Sequence, residues 1–229
     1  MAFKISMLKN YFKIAWRNLW QNKALSFINI FGLATGIAFA ILTGLWIQYE
    51  TGYDSFHKNR DRIALVMKNV MFNDQRSTQE LSPLPLYYEL KNNYPEVERV
   101  TRVAWAGRHS FVAGNNKFAR EGLDADPDFL QMFSFPVLQG DIRSALQDPN
   151  SIVLTQSLAS VLFNTENPIG KMIKLDNLDN FRVTAVIRDV PKNSTLIFDF
   201  LIPYESEIAH SDFIRNRKTD CSNNFLMNM

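Results

Sequence analysis

The sequence predicts an α+β protein tethered to a membrane. It begins with an N-terminal amphipathic helix and one transmembrane helix, and a mixed α/β extracytoplasmic domain follows. Three observations predict this. Leu25 to Ile47 (LSFINIFGLATGIAFAILTGLWI) contains no charged residue. Every charge before it is basic (Lys4, Lys9, Lys13, Arg17 and Lys23), and the first acid in the chain is Glu50. Beyond residue 50, short β-branched runs and helix-start signals alternate irregularly, which favours α+β over a doubly wound sheet.

Residues 5–20 read as an amphipathic helix. At the helical repeat Ile5, Leu8, Tyr11, Phe12, Ala15, Trp16 and Leu19 share one face, with Lys9, Lys13 and Arg17 at four-residue spacing beside it. Aromatics at the boundary and cations toward anionic headgroups suit a helix lying in the membrane interface. A solvated inward extension of the next helix is the alternative, and a bend is expected near Gln21–Lys23. The basic membrane-surface set is Lys9, Lys13, Arg17 and Lys23.

The apolar run follows. At ~1.5 Å rise per residue it makes ~35 Å of helix, enough for a ~30 Å hydrocarbon core. Ala38-Phe39-Ala40 superficially matches a signal-peptidase site, but Ile41-Leu42 and Leu45-Trp46-Ile47 continue beyond it. The run also exceeds the ~7–15 apolar residues of a signal peptide, so an uncleaved anchor is expected. The basic flank places the N-terminus in the cytoplasm and residues from about 50 onward outside. Gly32, Gly36, Ala40 and Gly44 recur every fourth residue, with Asn29 one turn earlier on nearly the same side. Small residues so spaced let membrane helices approach closely, although glycine is also simply frequent in such helices.

The outer region is expected to begin with a short helix at 54–62 and a strand at 63–72. Ser82-Pro83 carries N-cap and N1 chemistry for a helix ending before Pro95. Strands are expected at 97–105, 109–112 and in KFAREGL, with Gly114-Asn115-Asn116 as a turn. Asp126-Pro127-Asp128 reads as the start of a helix DFLQMF. A strand at 151–154 leads to Thr155, which caps a helix QSLASVLF. Asn167–Gly170 is a turn, 171–175 and 181–189 form a hairpin, and 198–202 is a last strand. The boundaries are thus 1–23 interfacial helix, 24–49 transmembrane helix and 50–205 extracytoplasmic domain. Residues 206–229 are a tail expected to lack fixed structure.

Composition narrows the function. The net charge is +2, but the first 23 residues carry five cations and no acid, so the remainder is net negative and offers no field for nucleic acid. Cys221 is the single cysteine, so no intrachain disulfide can form. His57, His109 and His210 are far apart in sequence. Asp124, Asp126 and Asp128 have calcium-loop spacing, but Phe129 and Phe135 stand where such a loop needs Gly and Glu, and helix capping accounts for them. There is no G-x-x-x-x-G-K-[ST], G-x-S-x-G or H-E-x-x-H. Asn193-Ser194-Thr195 matches a glycosylation sequon too short to carry weight. No catalytic, cofactor or metal site is expected, and the chain is not read as an enzyme.

The order of motifs resembles a family. LKNYFKIAWRNLWQNKALSFINIFGLATGIA resembles the start of FtsX/MacB-type ABC transporter permeases. YDSFHKNRDRI, PLPLYYELKNNYPEVERV, LDADPDFLQMFSFPVLQGD, NSIVLTQSLASVLF, ENPIGKMIKL and FRVTAVIRDVPKNSTLIFDFLIP resemble successive motifs of the MacB-like periplasmic core domain. The resemblance runs from about residue 8 to 205. It implies a permease in the bacterial inner membrane that pairs with a separate cytoplasmic ABC ATPase. Further partners would be other permease helices or a second permease copy, the lipid bilayer, and periplasmic proteins used in efflux or lipoprotein release. Permeases of this type carry later membrane helices, so a chain ending at Met229 reads as a fragment not expected to transport alone. The competing reading is a single-pass anchored module that binds a partner outside the membrane.

Overall fold

The computed structural model describes residues 2–113, 116–164, 166–176, 179–206 and 221–228. The chain divides into two units, Met1–Tyr53 and Asp54–Met229. The first unit is two helices, α1 (Ala2–Gln21) and α2 (Lys23–Thr51). They are broken at Asn22, whose φ of −113° and ψ of 56° depart from the helix. Among the described residues α2 is the one helix long and apolar enough to cross a membrane, and none of its residues is buried.

The second unit is sheet-rich. Its strands are β1 (Ile63–Val66), β2 (Lys68–Phe72), β3 (Gln75–Gln79), β4 (Leu81–Pro83), β5 (Arg99–Ala113) and β6 (Asn116–Ala125). Then come β7 (Val137–Gly140), β8 (Ser151–Thr155), β9 (Met172–Leu175), β10 (Asp179–Ile187), β11 (Phe200–Pro203) and β12 (Cys221–Asn228). Its helices are α3 (Pro85–Asn93), α4 (Phe129–Met132) and α5 (Gln156–Phe163). The main sheet runs β1-β12-β5-β6-β11-β8-β10-β7, with β4 on β12 and β9 bridging β10 to β5. Pairing is antiparallel except for β6 with β11 and β8 with β10. This mixed sheet, with helices set beside it, is the α+β class read from the sequence.

Both faces of the central strands are covered. In β8, Ile152 and Leu154 join one apolar cluster with Phe111, Phe181 and Phe200, while Val153 joins another with Phe129, Phe133, Phe135 and Phe198. Side chains alternate along a strand, so a strand between two clusters must be apolar at every position. Bulges move strands between clusters. In β10 the register slips between Val183 and Ala185, so Phe181 and Val183 face one cluster, and Ala185 and Ile187 the other. In β5 a slip between Trp105 and Gly107, where Gly107 has φ +85°, separates Val103 from Phe111 in the same way. Gly140, with φ +91°, lets β7 meet β10: a Cβ there would lie 2.2 Å from the Thr184 carbonyl oxygen.

Several local expectations need correction. The helix expected at 54–62 is a series of turns ending in one 3₁₀ turn at Arg60–Arg62, because Asp54 adopts φ +53°. The strand expected at 63–72 is split at Met67 into β1 and β2. β2 pairs with β3 across Asn73-Asp74, both at positive φ, which is the geometry of a type I′ hairpin. Ser82 lies in β4 and donates to the Val66 carbonyl at 3.3 Å, so α3 begins three residues later at Pro85. The strands expected at 97–105 and 109–112 are one continuous β5. The Gly114-Asn115 turn falls outside the described residues. The tail read from 206 onward is corrected at 221–228, which form β12 between β1 and β5. Residues 207–220 lie outside the described set.

Candidate functional site

In the first unit the expected small-residue face is open. A Cβ built at Gly32, Gly36 or Gly44 meets nothing within 4 Å, and Asn29 and Ala40 on the same helix are exposed. Among the described residues of this unit no other helix occupies that face. Lys13, Arg17 and Lys23 are exposed, and the Lys9 side chain lies outside the described set. Lys23 Nζ stands 5.2 Å over the Trp20 ring, a cation–π contact next to the break at Asn22.

In the second unit the first residues are stitched to two loops. The positive φ of Asp54 turns its carboxylate onto the β10–β11 connection. Oδ1 accepts from the Thr195 amide at 2.9 Å and the Ser194 hydroxyl at 3.2 Å, and Oδ2 accepts from the Thr195 hydroxyl. The Asp54 amide donates to the Asn193 carbonyl at 3.0 Å. The second loop follows α4. There the Lys58 amide donates to Ser134 Oγ at 3.1 Å, and Asn59 Nδ2 to the Met132 carbonyl at 3.2 Å. The Ser134 amide donates to His57 Nδ1 at 3.2 Å. His57 is buried against Phe56, Phe133 and Phe135, with ring centroids 4.0, 5.0 and 4.9 Å away. Burial pushes its pKa below the ordinary 6.5, with nearby Asp54 pulling weakly the other way. Neutral His57 with an accepting Nδ1 therefore locks the entry segment onto the aromatic cluster.

Deeper in the same unit lies an ionic knot. Arg102 of β5 and Asp126 after β6 are each 1% exposed. Asp126 accepts from Arg102 Nη2 at 2.6 Å and Nε at 2.9 Å, and from the Arg102 backbone amide at 2.6 Å. Glu205 accepts from Nη2 at 2.8 Å. The guanidinium is sandwiched between Tyr87 of α3 and Tyr204, each 4.2 Å from ring centroid to Cζ. Burial opposes the charge, but Asp126 and then Glu205 outweigh it and raise the Arg102 pKa. One guanidinium thus joins α3, β5, the β6–α4 turn and the residues after β11.

The aspartates read as helix caps have other roles. Asp126 holds Arg102. Asp128 occupies the N-cap position of α4 but makes no side-chain cap bond and stands 3.6 Å from Lys91. Thr155 likewise precedes α5 without a side-chain cap; Asp189 accepts from the Ser157 amide at 2.8 Å instead. His109 contacts Asp176 and the Ala106 carbonyl, both at 2.6 Å, through its two ring nitrogens. Both ring nitrogens are therefore engaged by groups other than the adjacent Ser110 hydroxyl. Among the described residues no cluster of three or more His, Cys, Asp or Glu could hold a metal. Sequence reasoning missed Asp54 and Arg102. The sequon Asn193-Ser194-Thr195 was the one visible trace of the Asp54 clasp.

Comparison with known proteins supplies the family. The profile of the MacB-like periplasmic core domain matches residues 26–223. A pyoverdine export ATP-binding/permease protein of Pseudomonas aeruginosa is 20% identical over 198 residues, 80% of this chain and 28% of the relative. Its counterpart in Pseudomonas fluorescens is 21% identical over 76% of this chain and 27% of its own length. The chain thus spans under a third of the curated relatives it matches. Among solved structures, a permease-protein domain from Porphyromonas gingivalis aligns with TM-score 0.63 and 22% identity, covering 76% of this chain and 75% of that one. The periplasmic region of MacB from Actinobacillus actinomycetemcomitans aligns with TM-score 0.53 and 18% identity, covering 73% and 74%.

Proposed function

The chain belongs to the MacB-like periplasmic core domain family, and from that premise we propose that it works as part of an ABC permease. In this reading α2 crosses the inner membrane with α1 on the cytoplasmic side. A cytoplasmic ATPase acts on the helical unit, and the sheet-rich unit stands in the periplasm. The work is export or release of a substrate at the outer face; export is the activity in the names of the pyoverdine relatives. The small-residue face of α2, from Asn29 through Gly32, Gly36 and Ala40 to Gly44, packs against further permease helices, and Lys9, Lys13, Arg17 and Lys23 face anionic lipid.

The observation that carries the reading is the entry clasp. Two residues, Gly52 and Tyr53, separate the end of α2 from Asp54. Within six residues from there the chain is bound to the 193–195 turn and to the 132–134 loop, with His57 seated in the aromatic cluster. A pull on Asp54 would reach both loops at once and be passed to β10, β11 and α4. An unattached first segment would yield to the same pull, so the stitching favours a mechanical role for residues 54–59.

Affinity capture of the chain from solubilised membranes of its source cell should recover an ABC ATPase. Saturating capture that yields only outer-face proteins and no ATPase would support the single-pass binding module instead.

A further inference from the structure

We propose that the break between α1 and α2 holds a binding site for one anionic phospholipid, with its phosphate on Lys23 and the first part of an acyl chain against Phe27 and Ile30. The proposal rests on the membrane placement of α2 given above. A recess of about 410 Å³ lies at the break, lined by Trp16, Leu19 and Trp20 of α1 and Lys23, Phe27 and Ile30 of α2. It is a shallow, open groove whose aromatic and aliphatic lining is exposed. These residues recur at three- and four-residue spacing, so on one unbroken helix they would form a convex stripe. The departure of Asn22 from helical geometry makes the stripe concave.

The polarity of the recess fits an amphiphile. At ~1.5 Å per residue, Ile30 lies ~10 Å along the helix from Lys23, so one end of the recess is cationic and the other apolar. Lys23 stands immediately before the uncharged run. Its Nζ is held over Trp20 rather than extended away, and Ser26 beside it is partly sheltered and adds a hydroxyl donor. Residues 1–49 contain no acid, so no carboxylate in this stretch competes with a phosphate for Lys23. A zwitterionic headgroup would bring its own cation to the same place, which favours an anionic lipid.

The test uses the full chain, carrying Trp46→Phe and Trp105→Phe so that Trp16 and Trp20 report alone. It is placed in phosphatidylcholine vesicles in which a minor fraction of lipid is brominated, either phosphatidylglycerol or phosphatidylcholine. Brominated phosphatidylglycerol is expected to quench as though enriched about fivefold, the effect of one lysine near a charged surface. Lys23→Gln should remove the preference, and Ser26→Phe, which fills the recess without changing charge, should reduce it. The pair Lys13→Gln/Arg17→Gln should lower it less than Lys23→Gln does. Equal quenching by both lipids overturns the site. So does a preference that survives Lys23→Gln and Ser26→Phe but disappears with Lys13→Gln/Arg17→Gln, which would mark a diffuse field. Quenching by neither lipid overturns the membrane placement together with the site, so the two failures are distinguishable.

Discussion

Replacing Asp126 by alanine should cost the sheet-rich unit about 3–5 kcal/mol, the penalty for stripping one partner from a buried ion pair. The magnitude follows from what Asp126 satisfies. It accepts from Nε and Nη2 of Arg102 and from the Arg102 backbone amide, and both side chains are 1% exposed. In the alanine variant the guanidinium keeps Glu205, which is half exposed, and the two tyrosine faces. The backbone amide loses this acceptor in a region closed to water. For a unit of this size the cost corresponds to a fall in melting temperature of about 6–20 °C. Near-ultraviolet circular dichroism of the full chain in detergent would follow it through the Tyr87 and Tyr204 signals. The double variant Arg102→Met/Asp126→Leu removes both charges and should recover most of the loss, because an apolar pair carries no desolvation penalty. Melting of Asp126→Ala within about 2 °C of the parent would refute the reasoning, as would a double variant less stable than the single one.

Three further outcomes are expected. The pKa of His57 is depressed in the folded state, so its contribution to stability is complete above the ordinary 6.5 and is lost as pH falls below it toward the folded value. The melting temperature should therefore drop between neutral and mildly acidic pH, and His57→Gln should lack that component; an unchanged pH profile would remove His57 from the account. Asp54→Ala should raise amide exchange at residues 54–59 and 193–196 roughly tenfold while leaving β8 and β10 protected, and uniform exchange across the unit would contradict a local clasp. Gly36→Ile should weaken disulfide crosslinking between cysteines introduced on α2 and on neighbouring helices in native membranes, and undiminished crosslinking would mean that this face is not an interface.

What could be read from the chain follows from the range of the interactions. The apolar run, the β8–α5 unit and the Asn167–Gly170 turn are written in contiguous residues, and the structure places them close to where the sequence does. The position of β12 is not local: its partners Arg99–Val103 and Ile63–Val66 lie more than a hundred residues earlier. A polar stretch before it gives no hint of a strand. The bulges in β5 and β10 are also invisible in a period-two pattern, because each reverses which residues face which cluster. Asp126 misled because Asp-Pro-Asp carries genuine helix-start chemistry, while its actual partner, Arg102, is fixed by the β5–β6 pairing. The basic stripe and small-residue face of α1 and α2 are readings of helical periodicity, and their roles remain proposals. The Asp54 clasp was not legible, since it joins residues about 140 apart.

The most direct test of the proposed coupling is hydrogen exchange at residues 54–59 and 193–196. It should be measured in membranes containing the chain within its permease and the partner ATPase, with the ATPase free or trapped with ATP and vanadate. The account predicts that exchange at both segments changes together on trapping, because a pull reaching Asp54 is shared by both. Identical exchange in the two states, with hydrolysis by the ATPase verified, would contradict it.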